Sequence, residues 1–468
     1  MKRQRIICTA LSAVLGFSLF ALGGCGNDGG DDTVRINVKT PLIRMSTPSA
    51  ISNAEIATSG DFLSLAAKAF TEQYKKDKVE ITVNMFPDGE EERFVTDMFG
   101  TEDAADVLYD DFYNMITYVH SGNAISLEGL LSESVRADLK DGYVEWGEVA
   151  GEVYMLPYLG RQNILMYNKA ILREYGLDEF VEDETGIIQT WSIDEWEYVL
   201  DTLGAGMAQK TDKKYAPMMM YAKDNQGDSH IMSLISGFGV SLVDDDGYFH
   251  FDEPEALRGL EWLQSGIERN WYMPHPQNFT LSDCDRLFHE GQIAFYVFNI
   301  GCEVYLQGEE EVAKCGYVNF PSLTGGIATR FVTGFEIFDN KDARKLAAAK
   351  DFVKFIYETE EWLNVSSGSI SASKRVTEQQ EAQNMLMIDQ FTKNIPNVIH
   401  FMRGNPNWQG LDNSVRNVFY KGIFNLLSER LTPQECAAKL NKDCNEATEY
   451  GRENSVIFKK LAKRNKQG

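Results

Sequence analysis

The sequence predicts an α/β fold divided between two lobes, on three observations. After a short N-terminal leader, strand-like and helix-like periodicities alternate, the pattern of a mainly parallel sheet with helices packed on it. The 468 residues exceed what one hydrophobic core ordinarily organises, so two lobes of ordinary size are expected. Hydrophobic residues make up 43% of the chain, enough for packed cores. Beyond the leader no apolar stretch is long enough to cross a bilayer.

The leader comes first. Lys2, Arg3 and Arg5 precede an apolar run from Ile6 to Leu22, and small residues then precede a cysteine in Leu22-Gly23-Gly24-Cys25. A cationic start, an apolar stretch and a small-residue cleavage site make an export signal; a plain membrane helix is the alternative. Leu-Gly-Gly-Cys resembles the bacterial lipobox. That resemblance implies cleavage before Cys25 and a diacylglycerol on its thiol. Residues 1–24 are then a lipoprotein signal peptide, and 25–33, rich in Gly and Asp, a flexible tether.

The strands and helices follow in order. Val34, Ile36 and Val38 alternate with polar residues, as in a strand, and residues 41–60 read as a long loop. Phe62, Leu65, Ala66, Ala69 and Phe70 recur at helical spacing, with Asp61 as the expected N-cap. Val79 to Met85 alternate again, 91–99 reads as a helix, and Ala105 to Tyr109 is a short buried strand ending in Asp110-Asp111. Ser192-x-x-Glu195 is a capping box. Asp252, with Pro254 in the first turn, is expected to open a helix burying Leu257, Leu260, Trp262 and Leu263. Ile293–Ile300, a strand starting at Tyr317, and Phe331–Phe338 supply further strands, and 343–357 a helix. Thr432-Pro433-Gln434-Glu435 opens a last helix running to Lys459, Lys460, Lys463 and Arg464.

Charge and cysteines exclude some functions. Formal net charge is −25; the first twenty-four residues carry three positives and no acid, so it is −28 from Cys25 onward. Nucleic-acid binding needs a concentrated basic face and is not expected. Beyond Cys8 and Cys25, five cysteines remain: Cys284, Cys302, Cys315, Cys436 and Cys444. None forms C-x-x-C, so no zinc site is expected. Cys436 and Cys444, two turns apart on a helix, stand roughly 12 Å apart, too far to bridge. Buried thiols are expected, with Cys302–Cys315 the alternative if any pair bridges.

Four passages carry a resemblance: Asp106-Val107-Leu108-Tyr109-Asp110-Asp111 leading to Ser121-Gly122-Asn123-Ala124-Ile125-Ser126-Leu127; Tyr154-Met155-Leu156-Pro157-Tyr158 followed by Leu165-Met166-Tyr167-Asn168-Lys169; Thr190-Trp191-Ser192-Ile193-Asp194-Glu195-Trp196; and Phe288-His289-Glu290-Gly291-Gln292-Ile293-Ala294-Phe295. In this order, behind a lipobox, they resemble the extracellular solute-binding proteins of ABC importers, family 1, the maltose-binding-like carbohydrate type. The resemblance covers nearly the whole mature chain. It implies a two-lobed periplasmic-binding-protein-like fold of type II, hinged by crossover strands. The crossings are expected near 157–160, 316–317 and 364–371. One lobe then holds 34–157 and 317–365, the other 158–316 and 366–468.

The candidate ligand contacts follow. Sugar recognition uses flat aromatic faces and a few placed polar groups. Trp408, in a polar Pro- and Gly-containing stretch, falls where the family places a stacking tryptophan. Asp110 and Asp111 end a buried strand, where α/β sheets bind ligands, with helix capping as the alternative. Tyr113 is their neighbour. Arg161 and Asn163 follow the first crossover; Arg161 replaces a glutamate of the maltose-binding member and leaves room for an acidic or modified sugar. Tyr221 matches a family aromatic, Asn299 lies at a strand end, and Gly334 permits close backbone approach. Trp191, Trp196 and Trp262 fit amphipathic helices and belong to the core.

Catalytic signatures are missing: no H-E-x-x-H, no G-x-S-x-G and no phosphate loop occurs. No cofactor or metal is expected. The reading is a lipid-anchored binder that captures a carbohydrate, an oligosaccharide first, and delivers it as a monomer to an ABC permease. A binder of another solute, a sensor receptor and a surface glycosidase are the alternatives.

Overall fold

The computed structural model describes residues 32–43, 45, 56–86, 91–211, 214–220, 222–223, 227–244, 246–300, 309–383, 385, 387–399, 403–405, 408–409 and 413–465. The leader, Cys25, Tyr221 and Cys302 lie outside them.

Alternating apolar residues in β1 (Val34–Pro41) and β2 (Val79–Phe86) pair these strands in parallel, Val34 opposite Val79. Between them the helix Ser59–Gln73 buries Phe62, Leu63, Ala66 and Phe70 against the sheet. Its N-cap is Thr58, not Asp61. Asp61 is the third helical residue and completes the capping box by accepting from the Thr58 N–H. β3 (Val107–Asp111) pairs in parallel with β1. The short hairpin of β4 (Glu148–Val149) and β5 (Glu152–Val153) leads into β6 (Leu156–Asn168), thirteen residues long and almost wholly buried.

β7 (Ile188–Gln189), β8 (Phe295–Ile300) and β9 (Cys315–Val318) gather on the far half of β6, β8 and β9 pairing with it directly. β10 (Ala328–Ile337) then runs antiparallel along β6 and on to β3, from Thr329 opposite Asn163 to Ile337 opposite Val107. β11 (Ile370–Ser371) pairs with Gly160 and Leu159, and β12 (Val398–Ile399) joins β10. The result is one ten-stranded mixed sheet with the path β2-β1-β3-β10-β6-β9-β7. β6 and β10 stitch its two ends together. The N-terminal end adds parallel strands through helical connections; the centre is antiparallel because the chain passes back and forth along the same line.

Trp191, Trp196 and Trp262 are all buried; Trp196 and Trp262 lie on helices as expected, whereas Trp191 precedes the Ser192 N-cap and is outside the helix. The helix Pro254–Glu268 has Glu253 rather than Asp252 at its N-cap, with Pro254 the first helical residue. The last expected helix is two. Pro433–Asn454 opens on the Thr432 capping box, and non-helical backbone at Ser455 separates it from Val456–Asn465. The reason for the break is tertiary. Asn441 and Asn445 of the long helix accept the Phe251 and Phe249 N–H groups. The short helix instead turns onto the end of helix Phe112–Ser121. There Ser455 Oγ meets His120 Nδ1, Val456 packs on Gly122, and Lys460 reaches Glu152 at 2.5 Å. Cys436 and Cys444 lie buried on the one long helix, as expected.

Candidate functional site

The site begins where β3 ends. Val107, Leu108 and Tyr109 bury the strand, so its last two residues are carried to the sheet's C-terminal edge with side chains on opposite faces. Asp110 turns inward: its carboxylate accepts from the Asp111 N–H at 2.7 Å and from Asn114 Nδ2 at 3.3 Å, tying it to the following helix. Asp111 occupies the N-cap position of that helix yet makes no side-chain cap bond. Its carboxylate is engaged by Arg161 Nη2 at 2.5 Å and by the Thr333 hydroxyl. The cap alternative therefore does not describe the Asp111 side chain, and Asp110 is spent on local structure.

Register explains this convergence. Thr333 of β10 lies directly opposite Asp111 of β3, and Phe331 opposite Arg161 of β6. The Arg161 and Asp111 side chains are 17% and 25% exposed, shielded enough for the ion pair to hold and open enough to be reached.

Alternation along β6 sorts its next residues. Gln162 faces away from Arg161. It donates to Phe391 O at 2.9 Å and accepts from Asn394 Nδ2 at 3.1 Å, joining an amide network with Asn319. Asn163 returns to the Arg161 face, opposite Thr329 of β10 on one side and Asn299 of β8 on the other. The Asn163 amide meets His230 Nε2 at 3.0 Å. His230 comes from the helix Asp228–Ser236, its ring stacked near Phe320. Burial pushes its pKa down to about 3, so the ring is neutral.

A second cluster, not foreseen, braces the crossing strands from the other face. The Arg330 guanidinium lies 4.3 Å from the Tyr143 ring centroid and donates to Gly142 O at 2.9 Å. Lys140 Nζ stands 5.1 Å from the same centroid and donates to Ser371 O. Burial, helped by Arg330, lowers the Lys140 pKa to about 8. Tyr143 lies so close to Gly160 that a Cβ there would fall 2.1 Å from its ring. No short motif announces this, because its members come from four separate chain segments.

Gly334 has an equally concrete role. A Cβ there would stand 2.2 Å from Leu156 O, so the close approach it permits is that of β6. It lies between Asp110 and Pro157 inside the sheet. This packing accounts for the glycine without a ligand. Trp408 belongs to a short strand, Trp408–Gln409, paired with Arg403–Asn405. Tyr113 is in the first turn of the helix after Asp111, and Asn299 faces Asn163 in register. The side chains of Trp408, Tyr113 and Asn299 lie outside the described residues, as does Tyr221 altogether. Among the described residues no group of three or more His, Cys, Asp or Glu is placed to hold a metal, and no helix is long and apolar enough to cross a membrane.

A large mixed sheet threaded twice by crossing strands, with polar side chains converging where they cross, is the architecture of two-lobed periplasmic binding proteins. Solved structures agree. The GacH receptor of Streptomyces glaucescens aligns with a TM-score of 0.66 at 15% identity, over 88% of this chain and 99% of its own. The sugar-binding protein MalE of Xanthomonas citri aligns at 0.67 with 15% identity, over 89% and 98%. The substrate-binding protein Lmo0181 of Listeria monocytogenes aligns at 0.66 with 15% identity, over 90% and 100%. Identities this low carry the fold alone. No curated protein sequence matches. The profile of the bacterial extracellular solute-binding proteins matches residues 54–361, well over half the chain. The chain belongs to that family.

Proposed function

We propose that this protein captures a neutral carbohydrate, an oligosaccharide first, between two lobes and hands it to an ABC permease. The observation that carries the reading is the Asp111–Arg161–Thr333 cluster where β3, β10 and β6 meet. It offers hydroxyl groups both acceptors and donors. Family membership supports solute binding, and the relatives' ligands support a sugar: the GacH receptor is described with acarbose, Lmo0181 with cycloalternan. The pairing of Arg161 with Asp111 modifies the expectation of an acidic sugar. A guanidinium already answered by a carboxylate gives an anion little net attraction. Asp110 and Gly334, engaged in local packing, recede from the list of contacts; Arg161, Asp111 and Asn163 stay on it, with Trp408, Tyr113, Tyr221 and Asn299.

The lobes divide along the crossing strands. β6 makes the first passage, and 364–371 with β11 the third. The return passage is better drawn within β10 than near 316–317, because Tyr317 and Val318 still pair with Met166 and Leu165 on the far half of β6. Ligand contacts from both lobes favour the closed arrangement. A diacylglycerol on Cys25 keeps the monomeric protein at the outer face of the cell membrane. The permease's own subunits hydrolyse ATP.

A thermal-shift panel of maltose, maltotriose, acarbose, cycloalternan and uronic-acid oligosaccharides tests this. Neutral sugars should raise the melting temperature, since a ligand binding only the native state stabilises it. A response confined to the uronic acids would overturn the neutral assignment, and turnover of any of them would overturn the binding-only reading. Cys25→Ser should release the protein from membranes with affinity unchanged.

A further inference from the structure

Asn163 and Thr329 face each other across β6 and β10, and both are buried, at 2% and 0% exposure. Each carries a polar atom with no hydrogen-bond partner: the Asn163 Oδ1 and the Thr329 Oγ1. Buried polar groups in native proteins are nearly always paired, so one orphan calls for an explanation, and two on directly opposed residues call for a shared one. The Thr329 position does not require polarity for packing, and the amide of Asn163 needs only its NH2 for His230. Thr329 lies two residues from Phe331 and beside Ile399 of β12, whereas Asn163 sits between Arg161 and Leu165 with Asn299 of β8 beside it. Valine would fill the Thr329 site.

The two orphans also match each other chemically. An amide oxygen only accepts; a threonine hydroxyl donates and accepts. Together they suit a group that donates one hydrogen bond and accepts another, which is an alcohol. A carboxylate or phosphate finds no donor at Asn163 Oδ1, and an ammonium gives nothing for the threonine proton. The pair lies one alternation along the strands from Arg161 and Phe331, continuing the floor that starts at Asp111 and Thr333. Asn163 is held from behind. A neutral His230 accepts its Nδ2–H through Nε2 at 3.0 Å, which leaves Oδ1 turned away from the ring. His230 also lines a small cavity with Met218, Met219, Met220 and Phe320.

We infer that Asn163 and Thr329 form a second hydroxyl-binding station of the proposed carbohydrate site, and that His230 is the positioning residue that fixes the Asn163 amide for it. The inference rests on the carbohydrate reading above. It assigns a contact to Thr329 and a positioning role to His230, two residues that no sequence motif marks. Entry accompanies lobe opening, since the station lies on the two strands that cross between lobes.

The experiment pairs apo stability with sugar affinity in Thr329→Val, using maltose, maltotriose, acarbose and cycloalternan as probes. Removing an orphan hydroxyl at constant shape should leave apo stability equal or higher. Affinity for each sugar that binds the wild-type protein should fall about tenfold or more. A destabilised apo protein would mean that Thr329 is satisfied within the fold, and unchanged affinity would mean that the pair is a tolerated defect or holds only water; either result overturns the station. If none of the sugars binds the wild-type protein, the carbohydrate reading itself fails and the station with it, a distinguishable outcome. For His230, the Leu variant should weaken sugar binding, and the Gln variant, which keeps an acceptor, should restore it. In an Asn163→Leu background the His230→Leu change should have no further effect on affinity. A loss equal in both backgrounds would mean that His230 acts by packing alone.

Discussion

Two stretches of one strand face solve opposite problems. At Asp111, Arg161 and Thr333 the protein answers its own polar groups with an ion pair and a hydroxyl bond. One alternation further on, Asn163 and Thr329 are left with an acceptor and a hydroxyl unanswered. At the first station the Asp111 carboxylate already holds the Arg161 Nη2 and the Thr333 hydroxyl, so the ion pair orients the groups a ligand meets and leaves no net charge. At the second a ligand supplies what is missing. Pre-organised groups set orientation at little reorganisation cost, and unanswered ones reward only the group that completes them.

The largest effect should come from breaking the paired station. Arg161→Met leaves a half-buried carboxylate uncompensated and should lower stability by about 2 kcal/mol, on the scale of broken shielded ion pairs. Sugar affinity should fall at least a hundredfold. Adding Asp111→Asn should recover most of the stability and none of the affinity, as read by urea denaturation and calorimetry. Recovery of both would show that the pair only holds the strands.

pH sharpens the contrast next. His120 and His230 are neutral, their pKa values pushed down to about 3 by burial. A base with a depressed folded pKa binds fewer protons folded than unfolded. Its stabilising contribution is present above the unfolded value near 6.5 and is lost as pH falls towards 3, by about 1.4 kcal/mol per pH unit for each ring. His120→Phe should flatten the acid limb of a denaturation-midpoint profile. An unchanged slope would place the acid sensitivity elsewhere.

Glu336 is a third kind of case, an orphan away from the site face. It is 0% exposed, both carboxylate oxygens lack partners, and burial, with Asp110 nearby, raises its pKa well above the carboxylate range. An acid with a raised folded pKa stabilises below its unfolded value near 4.5 and loses that contribution as pH rises. Glu336→Met should therefore add about 1–3 kcal/mol at pH 8 and leave sugar affinity alone. A fall in affinity would erase the distinction between orphans at the site and orphans behind it. The smallest effect belongs to Lys460→Gln. It removes a surface pair with Glu152 and should cost about 0.5 kcal/mol or less.

Much of the fold was legible because its signals are local. Period-two runs marked β1 and β2, a short buried run marked β3, and the Ser192 and Thr432 capping boxes opened the helices expected. Errors cluster where a distant contact decides a local outcome. Asp61 serves Thr58 rather than itself, and Ser455 breaks a helix because its second half has another surface to meet. The site was legible to the nearest strand end and no further. Asp110 and Asp111 are equivalent in sequence; they part only when alternation turns one inward and β10 brings Thr333 opposite the other. The partnership of Arg161 with Asp111, fifty positions away, and of Asn163 with Thr329, depends on register between non-consecutive strands. The Arg330–Tyr143–Lys140 stack does too.

The helix Phe112–Ser121 starts at Asp111 and ends on the C-terminal helix, where Ser455, Val456 and Phe458 surround His120 and Gly122. One helix thus has the candidate site at its front and the helix Val456–Asn465 at its back. An environment-sensitive dye on the outer side of Val456–Asn465 would test whether occupancy is felt along that helix: a signal change on adding sugar supports coupling, and an unchanged signal excludes it.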